Sequence, residues 1–190
     1  YSQIIADLSE AESLPASYSE DVNKGRATSG AAKALLGKVY LTMKNYKDAE
    51  TKLAEVITSN RYSLLENTSG SLNINGYAAV FNANNHNNSE SVFDVQFKKG
   101  GFGEGSNFPN TFAPENSGTN VVPLGSTGGN NLPGDDMINS YEPGDLRKGF
   151  SVASGYYDAR KNGAWVESKY IKKYFDTPYK DGDSNNNFPV

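Results

Sequence analysis

A mainly α-helical fold with irregular regions and a minor share of β-strand is predicted here, as a helical hairpin packed against a loop-rich region with short strands. Three observations predict it. Residues 31–57, AAKALLGKVYLTMKNYKDAETKLAEVI, carry two consecutive amphipathic helical patterns separated by a two-residue polar turn. After residue 58 the texture changes to Gly-, Asn- and Pro-rich sequence with scattered aromatics. Only two later runs, ESVFDVQF and WVESKYIKKYF, read as strand.

The elements follow in order. Over residues 1–14, Ile4, Ile5, Leu8 and Ala11 share one helical face against Asp7, Ser9 and Glu10, and Pro15 ends the pattern. A polar linker runs to Gly25, after which Thr28 or Ser29 can cap the next helix. Its expected buried stripe is Leu35, Leu36, Val39, Tyr40 and Met43. Lys44-Asn45 forms the turn, and the following helix is expected to bury Tyr46, Ala49, Leu53, Val56 and Ile57. In ESVFDVQF, Phe93, Val95 and Phe97 alternate with Val92, Asp94 and Gln96, the pattern of a half-buried strand. Residues 98–133 form a long irregular segment of the kind that is functional or disordered. A short helix is expected over 134–141, EPGDLR reads as a turn stabilised by Asp145, and residues 165–175 suit a second strand. The chain divides into a helical part, 1–65, and a loop-rich part, 66–190.

Gly37 stands inside the first helix of the hairpin, where it costs about 1 kcal/mol relative to alanine. That cost is recovered if two helices cross where the glycine sits. Leu36-Gly37 with Tyr40, followed by Tyr46, Ala49 and Leu53, falls at the spacings of one tetratricopeptide-like repeat. No second good copy is present, and such repeats need neighbours to bury their outer faces. The expected cover is the helix of residues 1–14 and segments of a longer chain, since both ends read as interior positions.

Composition narrows the chemistry. Net charge is −4 with mixed signs along the chain, which does not suit a nucleic-acid surface. With no cysteine and one histidine, neither a disulfide framework, a thiolate metal site nor a two-histidine zinc site can form. No run approaches the length of a membrane-spanning helix. Glycosidase chemistry needs two carboxylates about 5 to 9.5 Å apart, and nothing in the spacing of Glu90, Asp94, Glu104 and Glu115 pairs them. His86 lies in NANNHNNSE, read as an exposed polar loop without a nucleophile elbow. The glycines of KKGGFGEGS complete no nucleotide-binding fingerprint. Asp181, Asp183 and Asn185 fall at positions 1, 3 and 5 of a calcium loop, but Asn186 replaces its glycine, so a hydrated turn is preferred and no cofactor is expected.

An ordered series spans nearly the whole chain: IIADLSEAESLP, GRATSGAAKALLGKVYLTMKNYKDAETKLAEVI, RYSLL, YAAVFNANNHNNSESVFDVQF, NSYEPGDLRKGF and NNFPV. In this order and composition the sequence resembles the SusD/RagB-like lipoproteins of Bacteroidetes-type bacteria, as a fragment of a single domain. The resemblance implies a surface-exposed outer-membrane lipoprotein whose anchor lies outside this chain. It also implies capture of an oligosaccharide or polysaccharide, delivery to a TonB-dependent, SusC-like transporter, and no catalysis. Tyr77 and Phe81 match the family's buried pattern and are assigned to the core.

Sugar binding needs aromatic faces for the apolar side of each ring and amides or charges for its hydroxyls. Candidate groups are Phe102, Asn107, Phe108, Asn110 and Phe112, with Asn116 beside them, and a second set of Tyr156, Tyr157 and Trp165. The alternative for each aromatic is packing beneath a loop. The rival function is a protein- or peptide-interaction module using the helical surface, or a peptide cargo in place of a glycan.

Overall fold

The computed structural model describes residues 1–20, 23–66, 75–98, 104–122, 126–175 and 188–189. It divides into two compact units. The first comprises Tyr1–Leu65, Asn87–Val95 and Phe188–Val190, the second Glu66–His86 and Gln96–Asn187. Among the described residues there are seven α-helices and two two-stranded sheets, so the mainly helical expectation is borne out.

The first unit is built on three helices, α1 (Ser2–Ala11), α2 (Ser29–Thr42) and α3 (Tyr46–Thr58). Thr28 caps α2, its hydroxyl accepting from the Ala31 amide at 3.2 Å, and Asn45 caps α3 through the Asp48 amide. The α2–α3 hairpin closes as the glycine predicted. A Cβ on Gly37 would lie 2.7 Å from Leu53 Cγ and 2.8 Å from Leu53 Cδ2, with the Ala49 carbonyl oxygen at 3.5 Å. The bare Cα is therefore the seat of the Leu53 side chain. Lys33 near the start of α2 pairs with Glu55 near the end of α3 at 2.7 Å, as an antiparallel pair requires. Lys52 reaches Glu12 just past α1 at 2.8 Å and Glu55 at 3.4 Å, tying the three helices together.

The buried stripe differs from expectation. Ala32, Leu36 and Gly37 are buried in α2, while Leu35 and Met43 are exposed. In α3 only Ala49 is buried, and Tyr46, Leu53 and Ile57 are exposed, Ile57 at 75%. The reason is that a hairpin buries one narrow stripe per helix, and the rest of each apolar face needs a further layer. The first unit is completed by a loop ladder, in which Ser63 N–H donates to the Ser89 carbonyl and Leu65 N–H to Glu90 Oε2. The strand expected over 90–97 is much shorter, β1 (Asp94–Val95), paired antiparallel with β4 (Phe188–Pro189). Ser91 hydroxyl to Asp94 carboxylate bonding turns the chain immediately before it.

The second unit holds α4 (Asn75–Val80), α5 (Phe108–Phe112), α6 (Asp135–Asn139), α7 (Leu146–Ser151), β2 (Val152–Asp158) and β3 (Ala164–Ile171). α6 fills part of the helix expected over 134–141. Asp145 stabilises the expected turn by accepting from the Arg147 amide, but the chain continues from it into α7, which the turn reading did not include. The strand expected over 165–175 is β3, ending at Ile171, and its antiparallel partner β2 was not anticipated.

The core of this unit is a chain of rings. Tyr77 meets Phe81 and Phe150 edge-on, with centroids at 5.2 and 5.5 Å. Tyr174 touches Phe81 at 5.8 Å, Phe108 at 5.7 Å and Phe112 at 5.5 Å. Such contacts add about 0.5–1.5 kcal/mol each beyond the area they bury. Tyr77 and Phe81 thus stand in the packing, as assigned.

Candidate functional site

The β2–β3 hairpin presents an outer face built by strand alternation. Its register pairs Tyr157 with Trp165, Tyr156 with Val166 and Gly155 with Glu167, with a bulge between Ala153 and Gly155. Tyr156, Asp158 and Tyr170 point inward and are buried. Tyr157 and Trp165 point outward, 69% and 50% exposed, their rings T-shaped at 5.0 Å.

Gly155 makes this arrangement possible. A Cβ there would lie 2.6 Å from Trp165 Cε2 and closer still to the Val166 carbonyl oxygen. The indole therefore lies across the glycine backbone diagonally opposite it. Glu167 and Lys169 continue the same face of β3, and the Lys169 ammonium pairs with Asp135 at the start of α6. The hydrogen bond from Lys169 holds the Asp135 carboxyl below the usual carboxylate range. An exposed indole face bordered by carboxylates and an ammonium is chemically suited to a sugar, whose ring has an apolar face and a polar edge.

The tip of the hairpin is anchored by Asp158. Its carboxylate accepts from Asn120 Nδ2 at 3.1 Å, from the Arg160 amide at 3.0 Å and from the Arg160 guanidinium at 2.9 Å through both Nε and Nη2. Asn120 Oδ1 in turn accepts from the Ala159 amide at 2.8 Å, and Arg160 Nη2 donates to the Asn116 carbonyl at 2.6 Å. The Arg160 hydrogen bond holds the Asp158 carboxyl below its ordinary range. Asn162, in the left-handed conformation it tolerates well, returns the chain to β3.

The residues expected to contact ligand are distributed differently from one another. Phe108 and Phe112 stack on each other at 5.5 Å and pack on Tyr174, so their rings are half-buried. Asn110 donates from Nδ2 to the Ser126 carbonyl at 3.1 Å and holds a loop in place. Asn107 precedes α5 and is exposed. Tyr156 faces the interior, and Trp165 faces solvent. Phe102 and the acidic loop of Asp181, Asp183 and Asn185 lie outside the described residues. Gly155, Glu167 and Lys169 were not singled out in the sequence. Only the pairing of β2 with β3 places them beside Trp165.

His86 also departs from expectation. It is half-buried, and its Nε2 is enclosed without a hydrogen-bond partner. The asparagines before it fold the stretch into turns, with Asn82 Oδ1 accepting from the Asn84 amide and Asn85 Nδ2 donating to the Ala79 carbonyl. Glu90 is engaged by the Leu65 amide and Asp94 by Ser91. Among the described residues no group of three His, Asp or Glu side chains is arranged to hold a metal, and no helix is long and apolar enough to cross a membrane.

Comparison with known proteins finds this fold in SusD-like proteins. The chain is 31% identical over 123 residues to the SusD-like protein P25 of Formosa agariphila, covering 60% of this chain and 22% of that one. A laminarin-binding SusD-like protein of known structure matches with a TM-score of 0.75 at 25% identity, over 100% of this chain and 46% of that chain. A SusD superfamily protein from Parabacteroides distasonis matches at 0.72 and 28% identity, over 98% of this chain and 41% of that chain. Surface glycan-binding protein A of Bacteroides thetaiotaomicron, in complex with laminarihexaose, shares the fold at 0.73 and 18% identity, over 100% of this chain and 46% of that chain. No family model matches. The resemblance read from the sequence is borne out, and the chain spans less than half the length of these relatives.

Proposed function

We propose that this protein captures an oligosaccharide or polysaccharide at the cell surface by stacking and hydrogen bonding, without making or breaking a bond. The observation that carries the reading is the outward Trp165–Tyr157 pair, a ring surface held open by the absence of a side chain at Gly155. Exposed aromatics held in a fixed relation, beside Glu167 and Lys169, offer sugar both of the contacts it needs. The similarity to a laminarin-binding SusD-like protein supports a glycan as cargo. On the same reading the protein is anchored by lipid to the outer membrane, and it passes its cargo to a TonB-dependent, SusC-like transporter.

Calorimetric titration of the full chain against a panel of neutral and acidic oligosaccharides tests this. Trp165→Ala and Tyr157→Ala should each weaken glycan binding about tenfold, the loss of roughly one stacking contact, while circular dichroism stays unchanged. If the chain binds no carbohydrate and captures peptides instead, the cargo is not a glycan.

A second reading has its own observation. Leu35, Tyr46 and Ile57 are exposed on the helical hairpin, apolar surface that contact with another protein or a peptide would cover. Leu35→Glu with Ile57→Glu would abolish partner binding under that reading and leave glycan affinity intact under the first.

A further inference from the structure

A second concave surface, separate in its lining from the Trp165 face, opens in the loop-rich unit. A groove of about 900 Å³ runs between the end of α4, the α7 helix and the residues following β3. Phe81, Phe150, Asn82, Asn84, Lys172 and Lys173 contribute to its walls. No Asp or Glu lines it among the described residues. The Lys173 ammonium sits over the Phe81 ring at 4.6 Å and the Tyr174 ring at 5.1 Å, and no carboxylate among the described residues pairs with it.

From this juxtaposition we propose that the groove binds the anionic group of an acidic sugar, a carboxylate or a sulfate, within the captured glycan. This rests on the glycan-capture reading and adds to it the class of substrate. Two consecutive lysines supply positive charge that no carboxylate among the described lining residues neutralises. The apolar rings of Phe81 and Phe150 suit the C–H side of a sugar, and the amides of Asn82 and Asn84 suit its hydroxyls. Burial pushes the Lys173 ammonium below the usual lysine range. A bound anion offsets that desolvation, since an opposite charge close by favours the charged form. A neutral glycan leaves it in place, so the groove discriminates by charge.

The test uses the full chain and three probes of equal length: a mannuronate hexasaccharide, a sulfated galactan hexasaccharide and laminarihexaose. At low salt the wild-type protein should bind one of the acidic probes about tenfold or more tightly than laminarihexaose, as expected for a charge-assisted contact. That advantage should shrink as sodium chloride is raised from 50 to 500 mM. Lys173→Gln should abolish it while leaving laminarihexaose affinity unchanged, and Lys173→Arg should retain most of it. Whichever acidic probe is preferred identifies the anion. Equal binding of all three probes by the wild type, or a preference untouched in Lys173→Gln, overturns this inference and leaves glycan capture standing. Binding to none of the three, nor to any glycan in the wider panel, overturns both.

Discussion

Placing alanine at position 37 sets two opposing effects against each other on one residue. Helix propensity favours it by about 1 kcal/mol, because glycine in a helix interior loses more backbone freedom on folding. Packing opposes it, because the new methyl would stand 2.7 Å from Leu53 Cγ. That carbon lies near the root of the Leu53 side chain, so relief requires a new rotamer or a small separation of α2 from α3. Forcing a methyl into a packed contact costs about 1–3 kcal/mol. Taking about 2 for the overlap, Gly37→Ala should destabilise the helical unit by about 1 kcal/mol. That corresponds to about 2–4 °C in a chain of this size. The partner experiment is Leu53→Ala, which removes the obstructing carbon. In that background Gly37→Ala should stabilise by about 1 kcal/mol, giving a coupling of about 2 kcal/mol between the two sites. Urea denaturation followed by helical circular dichroism on the four proteins measures all these terms. If Gly37→Ala stabilises the protein with Leu53 in place, the glycine is not there for the helix crossing.

Three further outcomes are expected. Thr28→Ala removes the hydroxyl that accepts from the Ala31 amide, and should cost about 1 kcal/mol in the same denaturation experiment. Gly155→Ala places a methyl against the Val166 carbonyl and the Trp165 ring. It should lower the thermal midpoint and weaken glycan binding together, whereas Trp165→Ala lowers binding alone. Asp158 has its folded-state pKa held down by Arg160, so the stability it contributes is present above the unfolded carboxylate value near 4 and is lost as pH falls below it. Asp158→Asn should therefore lower the thermal midpoint at pH 7, with the gap to wild type closing as pH falls below about 4.

The helical hairpin was legible because its determinants are local. The cap at Thr28 and the turn at Lys44-Asn45 act within one or two helical turns of themselves, and Gly37, whose partner Leu53 lies on the other helix, announces the crossing by its cost in a helix interior. Which residues those helices bury was less legible. Leu35 and Ile57 are apolar enough for a core, but burial depends on what covers them, and the hairpin alone does not reach that far. The strand β2 was hidden because VASGYYD contains a glycine and a bulge that break the alternation, and the glycine makes sense only once Trp165 is seen lying across it. Phe108 and Trp165 looked equivalent as aromatic candidates in a polar stretch. Their difference comes from partners distant in sequence, Tyr174 for the first and Gly155 for the second. Trp165 was selected by residue chemistry, whereas Glu167 and Lys169 needed the strand register.

The chain contains a single tryptophan, and that indole stands on the outer face of the hairpin, half open to solvent. Excited at wavelengths too long for tyrosine to absorb, it therefore emits a signal from one place. A sugar ring settling on it excludes water from one side and shifts that light toward the blue. The unmodified protein thus carries its own optical gauge of occupancy at the stacking surface, and cargo held elsewhere leaves the gauge still.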